Sequence, residues 1–314
     1  MVTTDFNKNQ LAITPIIIGT LSWVNTSSNS YGIEYGEAEL EGAFKAALDG
    51  GINFFDTAES YGKGLSEELL AKFMQTTEQP VQISSKYAPR LWRFFPFSVT
   101  NALTASLERL RLPKIQLYQV HWPLTYLMSQ KTLLNTLADE VKNGRIEAVG
   151  VSKYSLEQMQ KAYEILGAQG VKLATNQLKY SLLYRQIETQ GFLDKAKELG
   201  ITILAFCPLA KGLLTGKYTV DQLPTDGRKP RPDFNKSELE KIEPVISLLT
   251  KIGKKYDKTP AQVALNWLIC QDNVIPIVGC KNAEQVRQNI GATGWKISQD
   301  EFNQLEQITR PWLK

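Results

Sequence analysis

A repeated alternation constrains this chain more than any other feature: short β-branched or apolar runs, each followed by an amphipathic stretch. The runs fall at residues 15–19, 52–55, 81–85, 115–120, 146–151, 172–175, 201–206 and 274–278. Between them, apolar residues recur at three- and four-residue spacing, the mark of a half-buried helix. Residues 37–49 carry Leu40, Ala43, Phe44, Ala47 and Leu48 on one side, and residues 98–111 carry Ala102, Leu103, Leu107 and Leu110. Ser155, Thr259, Asn282 and Ser298 each precede a Gln or Glu by three positions. That spacing predicts a reciprocal cap at a helix start.

Eight strand–helix units predict an α/β fold of one domain, a closed (β/α)8 TIM-type barrel spanning residues 1–314. An insert of loop and helices is expected at 209–271, with helices over 236–256 and 260–270. The rival is an open doubly wound sheet. Its dinucleotide-binding form needs G-x-G-x-x-G after the first strand. Here that position reads Gly19-Thr20-Leu21-Ser22, so the fingerprint is missing.

Composition narrows the function classes. The net charge is +4 with no dense Lys/Arg run, which argues against a nucleic-acid partner. Three cysteines form no C-x-x-C pair and His121 is the sole histidine, so no metal site is expected. No apolar run approaches a membrane span. The first residues lack a signal-peptide pattern. These readings predict a cytoplasmic protein acting on a small molecule, with no protein partner evident.

In a barrel, the loops after the strands converge on one face, and reacting groups come from there. At these ends stand Asp56 and Tyr61, Lys86, His121, Ser152 and Lys153, Asn176 and Gln177, Cys207 and Pro208, and Gly279 with Lys281. Taken singly, each has an ordinary structural explanation: a turn, a solvated charge, a packed ring. Their joint placement on one face is the informative observation.

The order of motifs carries a resemblance. FFDTAESYG (54–62), SSKY (84–87), LYQVHWP (117–123), GVSKY (150–154), NQLKYS (176–181), AFCPLAKGLLTGKY (205–218) and PIVGCKNAEQVRQN (276–289) resemble the aldo-keto reductase family over nearly the whole chain. LPTDGR (223–228) and GATGWK (291–296) look like its branch containing plant pyridoxal reductase and potassium-channel β subunits.

The resemblance implies NADPH-dependent reduction of an aldehyde or ketone, pyridoxal being the narrower expectation. Tyr61 would be the general acid, Lys86 and Asp56 its supports, and His121 a donor to the carbonyl oxygen. An ammonium about 4 Å from a phenolate gains on the order of 4 kcal/mol at an effective dielectric near 20. Lys86 is therefore expected to lower the pKa of Tyr61. Implied contacts to NADPH or NADP+ are Gly19, Thr20, Asp56, Ser152, Lys153, Asn176 and Gln177, with Phe206 stacked on the nicotinamide. Cys207, Pro208, Leu209, Lys211, Lys217 and Arg228 would hold the pyrophosphate. Gly279, Lys281, Gln285, Gln288 and Asn289 would take the adenosine 2′-phosphate at a helix N-terminus, which favours an anion. Trp23, Tyr61, Tyr87, Trp92 and His121 are expected to touch substrate.

The competing reading is an NADP-binding regulatory subunit with little turnover, as in the potassium-channel β subunits. Their motif carries Asn where His121 stands, and all four catalytic residue types are present here. A barrel hydrolase with paired carboxylates is disfavoured, because the strand ends supply only Asp56.

Overall fold

A computed structural model of the chain describes residues 13–24, 31–123, 128–225 and 227–313. Eight parallel strands close on themselves in chain order: β1 (Ile17–Gly19), β2 (Phe54–Asp56), β3 (Gln82–Tyr87), β4 (Ile115–Val120), β5 (Ile146–Ser152), β6 (Leu173–Lys179), β7 (Thr202–Phe206) and β8 (Val274–Gly279). β1 pairs with β8 through Ile18↔Val278, which seals the ring.

Helices pack outside it. They are α1 (Glu37–Asp49), α2 (Leu65–Met74), α3 (Pro96–Leu110), α4 (Gln130–Lys142) and α5 (Leu156–Gly167), then the short α6 (Gln186–Thr189) and α7 (Phe192–Leu199). After β7, the inserted stretch holds two 3-10 turns, Ala210–Thr215 and Pro232–Phe234, and the helices α8 (Lys236–Tyr256) and α9 (Pro260–Ile269). α10 (Ala283–Ile290) and α11 (Gln299–Ile308) follow β8. Among the described residues, no helix is long and apolar enough to cross a membrane.

Local signals explain the starts. Ser155, Thr259 and Ser298 form the reciprocal caps their spacing predicts. Asn282 differs. Its side chain accepts from the Gln285 amide at 2.9 Å, but Gln285 Oε1 accepts from the Lys281 amide instead of closing the box.

The barrel interior has two levels. At the floor, Ile17, Phe54, Leu117, Leu204 and Ile275 are fully buried in an apolar cluster. Above it the inward positions turn polar, because side chains alternate along a strand. Gly150 makes room at this level. A Cβ there would lie 2.2 Å from Thr175 Oγ1 and 2.9 Å from Gln119 Cγ.

Candidate active site

Lys86 is the hub of the polar level. It is fully buried, and its Nζ donates to Asp56 Oδ2 at 2.6 Å, to the Thr57 carbonyl at 2.7 Å and to Tyr61 OH at 3.3 Å. Three acceptors match the three protons of an ammonium. Asp56 is fixed in turn. Its Oδ1 accepts from Ser84 Oγ at 3.0 Å and Gln119 Nε2 at 3.2 Å, and its Oδ2 accepts from Gln177 Nε2 at 3.2 Å. A buried charge pair is tolerable only when its remaining lone pairs are satisfied this way.

Tyr61 sits on the turn Tyr61–Gly64 and is half-buried. Its ring meets His121 edge-on, with centroids 5.6 Å apart. The Ser60 hydroxyl lies 3.2 Å from His121 Nδ1. Asp56, Tyr61, Lys86 and His121 therefore come together at the C-terminal mouth, from strands β2 and β3 and the segments that follow β2 and β4.

Electrostatics follow from this packing. Burial pulls Lys86 down, but Asp56 and then Tyr61 outweigh it, and the amine titrates above an ordinary lysine. For Tyr61 the balance goes the other way from expectation. Burial raises it, Lys86 only partly offsets that, and the phenol ends above its usual value. The physical reason is burial first, and then the Asp56 carboxylate, whose negative charge opposes that of Lys86 at the phenol. His121 is pushed down to about 2 by burial and by the charges of Lys86 and Lys153, so its imidazole is neutral at physiological pH.

Beside this centre lie Ser152 and Phe206, at the ends of β5 and β7, and Asn176 and Gln177, within β6. Ser152 Oγ donates to the Gln177 carbonyl at 3.2 Å, and Asn176 Nδ2 to the Tyr154 carbonyl at 3.3 Å. Asn176 Oδ1 is buried without a hydrogen-bond partner. Lys153 holds its Nζ 5.9 Å from the centre of the Phe206 ring. The loop after β7 runs through left-handed backbone at Cys207, Ala210 and Lys211, with φ of 57°, 48° and 61°. Non-glycine residues adopt that conformation only where the surroundings impose it. Pro208 and Leu209 lie between them. The Lys211 ammonium pairs with Asp233 at 2.6 Å, and Arg228 Nη1 donates to the Lys211 carbonyl at 3.3 Å. Lys217 and Arg228 both lie near the Tyr218 ring, at 5.7 and 5.4 Å.

At the end of β8, beyond Gly279, Lys281 precedes α10. Its ammonium lies 3.8 Å from Glu34 and 4.9 Å from the centre of the Tyr35 ring. Asn289 Nδ2 donates to Cys280 Sγ at 3.2 Å, while Gln288 is exposed and bonds Glu284 at 3.0 Å.

Four expected contacts are corrected. Trp23 is fully buried, 5.8 Å from Phe73 and 6.3 Å from Phe55, with its Nε1 on the Cys280 carbonyl at 2.9 Å; it packs behind the barrel wall. Tyr87 follows Lys86 on β3 and so takes the opposite face; it is buried beneath Arg93, which is tied to Glu59. Trp92 is 66% exposed and lines a groove along α3 with Phe97, Ser98 and Asn101. Thr20 is fully buried, its hydroxyl bonded to the Asp56 carbonyl at 3.1 Å and to Ser66 at 2.7 Å. Gly19 ends β1 level with Asp56 and Gly279, with no room for a side chain beside Ile277.

Sequence reasoning missed Ser60, Ser84, Gln119 and Glu34. Ser84 and Gln119 carried a usable signal. Each stands two residues before a predicted site residue, Lys86 or His121, and so shares its inward face.

A closed barrel with a buried lysine–carboxylate pair beside a tyrosine and a neutral histidine defines a class of carbonyl-directed enzyme, and the comparisons specify it. Residues 15–310 match the model of the Aldo/keto reductase family. The chain is 38% identical over 311 residues to the chloroplastic pyridoxal reductase of Arabidopsis thaliana, covering 94% of this chain and 83% of that one. It superposes on the glycerol dehydrogenase of Gluconobacter oxydans with a TM-score of 0.85 and 26% identity, covering 100% and 97% of the two chains. An aldo/keto reductase from Klebsiella pneumoniae, solved with NADP and acetate, shares the fold with a TM-score of 0.77 at 24% identity, over 98% and 96%. This chain belongs to the aldo/keto reductase family. Membership makes it an NADP-linked oxidoreductase of carbonyl compounds.

Proposed function

We propose that the chain works as a reductase of aldehydes or ketones, with pyridoxal among its substrates and Tyr61 as the proton donor. The observation that carries this reading is the Lys86 ammonium, fully buried and shared between Asp56 and Tyr61 OH. Asp56 holds the amine charged and aimed. Lys86 steadies the phenolate that forms when Tyr61 gives its proton to the carbonyl oxygen. In the tautomer where Ser60 donates to Nδ1, the neutral His121 carries its proton on Nε2. That N–H would meet the oxygen as negative charge develops.

The residues fit NADPH. Asn176 Oδ1, buried and unpartnered, is an acceptor suited to a carboxamide N–H; Gln177, Ser152 and Lys153 flank it. Phe206 offers a flat apolar face for the nicotinamide. When bound, the cofactor supplies a hydride to the carbonyl carbon. Cys207, Pro208, Leu209, Lys211, Lys217 and Arg228 would line the pyrophosphate, although Asp233 already holds the Lys211 ammonium. Lys281 at the α10 N-terminus would take the 2′-phosphate, with Gln285, Gln288 and Asn289 beside it. Glu34, 3.8 Å from that ammonium, would have to give way to the phosphate.

Pyridoxal as substrate rests on the relative from Arabidopsis thaliana. Tyr61 and His121 remain the substrate contacts. A small-molecule substrate without protein or nucleic-acid partners, in the cytoplasm, is part of the same reading and draws on the charge pattern and the odd cysteine count. The test is NADPH oxidation, followed by absorbance, with pyridoxal and 4-nitrobenzaldehyde. Turnover of either is expected. Tight NADPH binding with no turnover of any carbonyl would favour a regulatory subunit instead.

A further inference from the structure

Among the described residues nine large apolar side chains are exposed, and five of them fall in one loop: Leu91, Trp92, Phe94, Phe95 and Phe97. Their exposures run from 45% to 66%. Phe95 and Phe97 stack on each other at 5.5 Å, and Phe94 meets Phe95 edge-on at 6.4 Å. Scattered exposed apolar residues are ordinary, but a contiguous cluster marks an interaction surface.

Among the described residues, the one carboxylate lining the groove beside Trp92 and Phe97, Glu59, is taken up by Arg93. Residues 87–107 contain no Asp or Glu. The Arg90 guanidinium lies 5.3 Å from the centre of the Trp92 ring and has no carboxylate partner among the described residues. α3 starts inside the loop at Pro96, with no side-chain cap at Phe95 and no acidic residue in its first turn. Its positive dipole end therefore adds to Arg90.

We propose that this loop docks the protein on the surface of a membrane containing anionic phospholipid. Trp and Phe rings settle at the boundary between headgroups and acyl chains. Arg90 would face the lipid phosphates, with the positive end of the α3 dipole behind it. No described helix can span the bilayer, so the attachment is peripheral. A second copy of the chain is a poorer occupant. A two-fold contact would bring two Arg90 side chains together with no acidic residue in either segment to pair with them. The loop follows β3, so docking places the catalytic mouth toward the membrane.

The test uses the full chain with vesicles of phosphatidylcholine alone or mixed with phosphatidylglycerol. Flotation is expected with the mixed vesicles. Trp92 is the one exposed tryptophan of six, and its emission should shift to shorter wavelength on binding. The double variant Phe95→Ser/Phe97→Ser should lower partitioning about tenfold or more. Arg90→Gln should lower it about fivefold, on mixed vesicles only. These side chains are exposed, so unchanged thermal melting is expected and is checked first. No flotation of the parent chain, equal binding to neutral vesicles, or unaltered binding by the double variant would overturn the proposal. So would a dimer in sedimentation velocity that the double variant returns to monomer.

Discussion

The floor and the mouth of the barrel are made by the same strands and hold opposite chemistry. On β2, Phe54 closes the floor and Asp56, two residues on, anchors the mouth. On β4 the same step runs from Leu117 to Gln119. The floor needs only shape and apolar area. The mouth buries charge, and each group there survives because another pairs with it: Lys86 with Asp56, Asp56 with Ser84, Gln119 and Gln177. Stability and chemistry are thus separated by one turn of the strand's two-residue period.

The largest effect should come from the mouth, without touching the floor. Tyr61→Phe removes one oxygen from a half-buried ring. Turnover should fall roughly 10²- to 10⁴-fold, the range for a lost general acid. NADPH affinity and melting temperature should stay near the parent values. Steady-state kinetics beside a fluorescence titration checks this, and an unchanged rate would remove Tyr61 from the chemistry.

The mirror experiment is Phe54→Ala. It opens a cavity in the floor and should reduce stability by about 3–5 kcal/mol. The fraction that remains folded should turn over substrate at close to the parent rate. Denaturant unfolding with parallel kinetics gives both numbers. If activity per folded molecule collapses, the two levels are coupled and the separation argued above is wrong.

The two levels also differ in how legible they were in the sequence. The floor and the closure came from period and propensity. β4 at Ile115–Val120 and α1 at Glu37–Asp49 match the residues expected. β6 was cut short at residue 175 although it runs on to Lys179. Asn176 and Gln177 look like loop residues, and only a closed ring of neighbours makes them tolerable in a strand. The motifs named Asp56, Tyr61, Lys86 and His121. They could not reveal that burial and the Asp56 carboxylate together outweigh Lys86 at the Tyr61 phenol, because that depends on packing. Trp23 and Trp92 failed for a related reason: an aromatic residue near a strand end can pack inward, outward or into the mouth, and spacing alone does not choose.

A smaller effect is expected at the rim, away from both levels. Lys281→Ala should weaken NADPH by about tenfold, as one charge-assisted phosphate contact is lost. NADH should change little, because it lacks that phosphate. Dissociation constants for both cofactors test this, and equal losses would move the 2′-phosphate site off α10.

The smallest expected change concerns pH. An ordinary histidine would bend the rate profile near about 6.5. His121 titrates at about 2 instead, so its neutral form persists through the whole working range. Tyr61 must be protonated to act, and burial holds its pKa above the usual tyrosine value. The sign is then fixed: kcat/KM for reduction should be flat from roughly pH 6 to 9 and fall only on the alkaline side. A descending limb near neutrality that Tyr61→Phe abolishes would mean that Lys86 does win over burial once substrate and NADPH are in place. The electrostatic order described for the mouth would then belong to the ligand-free protein alone.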